Sequence, residues 1–109
     1  MVLLEKNPRI GKKLLATGNG RCNLANTGAP LYFGDADFAL RVLSKLGAQD
    51  VRAFFERLGV PTRPDSAGRV YPACNQAAAV VDALRLRLHQ NGVRIVTGAQ
   101  ATAIVKTEN

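Results

Sequence analysis

Residues 2–6, VLLEK, place three apolar side chains in succession and then a carboxylate. An unbroken apolar run of this length suits a short strand covered on both faces, as inside a parallel sheet. By periodicity alone it also suits a fragment of helix, but NPRIG follows at 7–11, and Pro8 and Gly11 favour a break. The reading is a strand whose carboxyl end is Glu5.

Working outward, the period changes from Asp37. Phe38, Val42 and Leu46 recur in four-residue steps, with Asp35 or Asp37 as the N-cap and Gly47 as the stop. In AQDVRAFFERLGV, Val51, Phe54, Phe55 and Leu58 form a second helical stripe, and Gly59 stands where a left-handed C-terminal residue is wanted. VPTRPDSAGRVYP carries three prolines and reads as a loop with a brief extended piece at Arg69 to Tyr71. A third helix follows, capped by Asn75, with Val81, Leu84 and Leu88 as its stripe and Asn91-Gly92 as its end. VRIVTG reads as a strand and ATAIVKTE as another, with Gly98 turning between them. Strand, loop, helices and strand make an α/β organisation with connections long enough for parallel pairing.

Composition narrows the function classes. With 109 residues, 47% hydrophobic and 21% charged, the chain has the make-up of one small globular domain. It has neither an apolar run of membrane-spanning length nor a signal-type N-terminus, so a cytoplasmic location and no membrane partner are expected. The net charge of +7 raises the question of nucleic acid, but the basic residues are spread along the chain and Tyr32 and Tyr71 do not sit among them as a stacking platform would. No nucleic-acid partner is expected. Cys22 and Cys74 are far apart and His89 is the single histidine, so metal-ligand spacing is absent and reduced thiols are expected.

Three stretches bear on chemistry. A carboxylate ending a buried parallel strand is where dinucleotide-binding folds hold ribose hydroxyls; the plain alternative for Glu5 is a solvated strand end. GKK at 11–13 is not a phosphate loop, because Lys6 stands where its first glycine belongs and Lys13 where Ser or Thr is required. TGNGRCN at 17–23 is more informative: Gly18 and Gly20 permit positive φ and close approach of a ligand, and Asn19 tolerates the same region. Its amides suit an anion nest, with Arg21 as a charged fork, Cys22 as a small polarisable neighbour and Asn23 as donor and acceptor. A tight turn without ligand is the other reading. Arg69 and Tyr71, in GRVYP, either face a substrate or pack.

Taken together, VLLEKNPRIGKKLLATGNGRCNLAN, FFERLGVPTRPDSAGRVYPACNQAAAVVDAL and GVRIVTGAQATAIV resemble a bacterial family of flavoproteins with two dinucleotide-binding domains, the aminoacetone-oxidase-like and bile-acid dehydro-reductase-like NAD(P)/FAD-dependent oxidoreductases. The resemblance covers nearly the whole chain. It implies a partial Rossmann-like FAD/NAD(P)-binding domain over residues 1–109. It also implies a parent enzyme that moves hydride between NAD(P)H or an organic small-molecule substrate and the flavin. Glu5 matches the ribose-binding acid of the family and Lys6 its neighbour at the adenosine end of FAD. Lys13, Gly18, Gly20, Arg21, Cys22 and Asn23 match the loop along the flavin side, and Ala101 matches a position, usually valine, whose backbone contacts adenine. Asn19 stands where the family commonly has a third glycine.

The resemblance further implies that the first strand and the GxGxxG fingerprint, which hold the pyrophosphate at a helix N-terminus, lie before Met1, and that the remainder of the same domain lies partly after Asn109. The expectation is therefore an internal piece that is inactive alone, binds FAD weakly or not at all, and associates through uncovered strand edges. No catalytic acid or base is named in it. The reading from a different class is a small basic binding module with no enzymatic role.

Overall fold

A computed structural model describes residues 1–29 and 31–106. The strand of the opening stretch is β1, Val2–Glu5, and it ends at Glu5 as the sequence indicates. It pairs in parallel with β5, Arg94–Thr97, in a register running from Val2 opposite Arg94 to Glu5 opposite Thr97. Parallel neighbours need a long crossover, and here it carries everything else: α1 (Lys12–Ala16), a 3-10 turn (Thr17–Gly20), β2 (Ala25–Asn26), α2 (Ala36–Leu43), α3 (Ala48–Arg57), β3 (Thr62–Pro64), β4 (Arg69–Pro72) and α4 (Ala77–Gln90). The arrangement is α/β, with a small antiparallel sheet in the order β2-β4-β3 inserted in the crossover.

The core gathers where α4 and the loop after α1 meet. Cys22, Val60, Ala77 and Val80 are buried together, and Leu14, Leu15, Leu24, Phe55, Ala83 and Leu84 pack around them. Val80, fully buried, lies beside the stripe of Val81, Leu84 and Leu88 read from the sequence and is more central than any of them. Trimming it leaves a cavity among fixed neighbours, so Val80→Ala is expected to lower the unfolding free energy by about 2 kcal/mol, measured by urea titration.

Several expectations are corrected. Val2 and Leu4 are exposed and only Leu3 and Glu5 are half-buried, so β1 is not covered on both faces. The face that carries Val2 and Leu4 has no covering layer among the described residues. Phe38, Val42 and Leu46 also face outward. The half-buried side of α2 is instead Ala36, Ala39 and Leu43, while the Asp35 side chain caps the helix by accepting from the Phe38 amide at 2.9 Å. In α3, Phe54 lies outside the buried stripe, edge-on to Phe55 at 5.1 Å. Asn75 does not cap α4; Gln76 occupies that position and Asn75 takes φ 56, turning the chain from β4 into the helix. The stretch expected as a strand at 101–108 forms none over 101–106, and its last two residues, Thr107 and Glu108, lie outside the described ones.

The stretch read as a loop at 60–72 contains a hairpin. Its prolines do not prevent this, because Pro64 belongs to an edge strand and Pro72 ends β4. Asp65 fixes its turn. Oδ1 accepts the Ala67 and Arg69 amides at 2.9 and 3.0 Å, Oδ2 accepts Arg69 Nε at 2.8 Å, and Gly68 supplies the positive φ of 78°. Burial acts to raise the Asp65 pKa, but the Arg69 side chain and the Arg69 and Ala67 amides outweigh it and hold the carboxyl below its ordinary 3.8. A carboxylate depressed by folding stabilises the fold above its unfolded pKa, and this contribution disappears as pH falls through the folded value. Asp65→Asn is therefore expected to be less stable than the wild type at neutral pH, with the gap closing below pH 3.8 in urea titrations at stepped pH.

Candidate functional site

The carboxyl end of the parallel pair carries the first group of candidate residues. Past Glu5 the chain doubles back: Glu5 Oε1 accepts the Asn7 amide at 2.8 Å and Asn7 Nδ2 at 2.7 Å. Those two bonds, the backbone one foremost, lower the Glu5 pKa with help from Lys6 and against a burial effect, so the group is an anion at neutral pH. Neither of the Asn7 bonds uses Oε2, which leaves an ionised acceptor oxygen at the strand end. The segment after β5 closes on the same place, with the Gly98 amide donating to Asn7 O at 3.1 Å and the Ala99 amide to Glu5 O at 2.9 Å. Exposed Ala101 follows two residues later, so Glu5, exposed Lys6 and the Ala101 segment come from one end of the sheet.

The second group lies in the loop after α1, with exposed Lys13 one turn before it. Gly18, Asn19 and Gly20 take φ of 56, 55 and 79°, and Cys22 takes 60°. The sequence allowed positive φ here, and the structure uses it at four positions. The two glycines serve different ends. A Cβ on Gly18 would lie 2.7 Å from the Asn23 amide nitrogen and 3.1 Å from Tyr71 Cε1, whereas a Cβ on Gly20 would meet nothing within 4 Å. Gly18 is where the chain closes on itself, and Gly20 is where it leaves room.

The anion-nest reading needs correction at two amides, since those of Arg21 and Cys22 donate inside the loop to Gly18 O at 3.2 Å and Thr17 O at 3.0 Å. Cys22 is 1% exposed and its side chain is part of the core, so any contact with a ligand would be through its backbone. Arg21 lies with Cζ 4.3 Å from the centroid of the Tyr71 ring, Nε donating to Gly18 O at 3.3 Å and Nη2 to the Tyr71 hydroxyl at 3.4 Å. Asn23 is exposed. Sequence reasoning left Tyr71 open between substrate contact and packing. It is 4% exposed and packs beneath the loop, while Arg69 is held by Asp65. The signal was present in GRVYP, a strand-forming run that resumes after a glycine turn, but its partner 50 residues upstream was not legible.

No group of His, Cys, Asp and Glu able to hold a metal occurs among the described residues, and none of their helices is long and apolar enough to cross a membrane.

A parallel strand pair with an acid at its carboxyl end and a crossover opening through a glycine loop is the architecture of a dinucleotide-binding domain of the Rossmann kind. The chain belongs to the HI0933-like family, whose Rossmann domain matches residues 1–109. It is 43% identical over 105 residues to a 3-dehydro-bile acid delta(4,6)-reductase of Clostridium scindens, covering 94% of this chain and 25% of that protein. The chain thus spans about a quarter of the length of that relative.

Proposed function

We propose that the chain carries the adenosine-end acid and the flavin-side loop of a FAD site in a larger oxidoreductase, which transfers hydride between NAD(P)H or an organic substrate and the flavin. The observation that carries this reading is the Glu5 carboxylate, ionised and with Oε2 outside both Asn7 bonds, at the end of a parallel strand. Gly20 is compatible with it, because backbone without a Cβ lets a flat ring system approach closely. Identity to a reductase supports the reaction class.

When bound, FAD supplies the hydride chemistry, and this chain supplies its binding. In this reading Glu5 accepts the adenosine ribose hydroxyls, Lys6 stands beside it, and the Ala101 backbone meets the adenine. Gly20 and the backbone of 21–23 lie along the flavin, with Arg21 and Lys13 contributing positive charge on that side. The exposed face of β1, Val2 and Leu4, suits cover by the remainder of the same domain. The relative has ample further sequence for such a neighbour.

The test is reduction of the cofactor. The chain expressed with the coding sequence on either side is expected to bleach its flavin absorption under anaerobic NADH or NADPH. A bound flavin that stays oxidised with both nucleotides, and with organic reductants, would contradict the hydride-transfer role.

A further inference from the structure

We propose that Tyr71 is a positioning residue for the flavin-side loop, its ring holding the Arg21 guanidinium and the turn at Gly18 in the shape that receives FAD. This rests on the FAD reading above. Tyr71 lies on β4, the central strand of the small sheet, and is nearly buried. Two parts of the loop rest on its ring: the Arg21 cation over one face at 4.3 Å, and the turn at Gly18, where a Cβ would come within 3.1 Å of Cε1. The chain leaving the loop is tied to the same strand, because the Leu24 amide donates to Val70 O at 2.8 Å. A side chain with the rotamer freedom of arginine is thus held on a rigid strand from two sides before any ligand arrives, which reduces the ordering cost of binding.

The ring, more than its hydroxyl, does this. The Arg21 bond to the hydroxyl is long at 3.4 Å, whereas the stack is within the range of a cation over an aromatic face. Tyr71→Phe should therefore behave as the wild type, and Tyr71→Leu should not. Val70→Ala, on the same strand and also buried, is the structural comparison: it loosens the core but keeps the backbone carbonyl that holds Leu24 and leaves the Tyr71 ring in place.

The experiment uses the chain expressed with its flanking sequence, titrated with FAD, alongside NMR of the Arg21 δ-protons. In the wild type and in Tyr71→Phe these protons should be shifted upfield by the ring current. In Tyr71→Leu the shift should vanish and the FAD dissociation constant rise on the order of tenfold, against little change in Val70→Ala. If Tyr71→Leu does not fold, Tyr71→Met fills the space without a π face and is expected to give the same result. A wild type that binds FAD but shows no Arg21 ring-current shift would overturn the proposal. So would Tyr71→Leu or Tyr71→Met binding no more weakly than Val70→Ala. Both outcomes leave the FAD site standing. A folded wild type that takes up no FAD would remove the proposal and the FAD reading together.

Discussion

Gly18→Ala is expected to cost on the order of 2–5 kcal/mol of stability, whereas Gly20→Ala costs about 1 kcal/mol, although both place a Cβ on a residue of positive φ. The strain of the left-handed region is common to the two. The difference is what the methyl meets. At Gly18 it runs into the Asn23 amide nitrogen at 2.7 Å, a backbone atom that cannot yield without moving the start of β2, and into the Tyr71 ring. At Gly20 it enters open space. Cofactor binding should distinguish the pair from the other side: Gly20→Ala should keep the fold and weaken FAD, because its methyl projects into the room left for the ligand. Urea titration and FAD titration of both variants check this, and equal loss of stability in the two would show that the loop is not closed in the way described.

Glu5→Gln carries the second large effect. The exchange keeps size and a polar end but removes the charge that makes Oε2 a strong acceptor, and charge-assisted hydrogen bonds are worth about 1.5–3 kcal/mol. FAD affinity should fall roughly 10- to 100-fold. FMN lacks the adenosine half, so its weaker binding should not change. A parallel loss for FMN would place Glu5 elsewhere than at the ribose. Because folding and the Asn7 bonds hold the Glu5 carboxyl below its ordinary 4.5, wild-type FAD affinity should stay level from neutral pH down to that value and fall beneath it.

Much of this was legible because a few residues fix it locally. VLLE could be nothing longer than a strand once Pro8 and Gly11 followed, and Gly59 and Asn91-Gly92 ended α3 and α4 where left-handed and turn residues belong. What failed depended on partners distant in sequence. Phe38, Val42 and Leu46 have helical spacing, but spacing does not say what lies opposite, and in this chain that face is exposed. ATAIVKTE has strand composition, yet residues 101–106 find no neighbour to pair with among those described. In the site, Gly18 and Gly20 looked equivalent. Only the approach of Asn23 and Tyr71 gives one to folding and leaves the other for a ligand. Cys22 read as a small polarisable neighbour of the ligand, but its φ is 60° and its side chain is buried in the core instead.

The central claim is that these residues hold one end and one side of FAD. It is tested most directly by preparing the chain with its flanking coding sequence, stripping any bound cofactor, and titrating FAD while following flavin absorption and the folded-state circular dichroism. The expected result is saturation at one FAD per chain, with a perturbed flavin spectrum that Gly20→Ala and Glu5→Gln both weaken. A well-folded, colourless protein that takes up no FAD at any concentration tried would contradict the account and favour a basic binding module without a flavin.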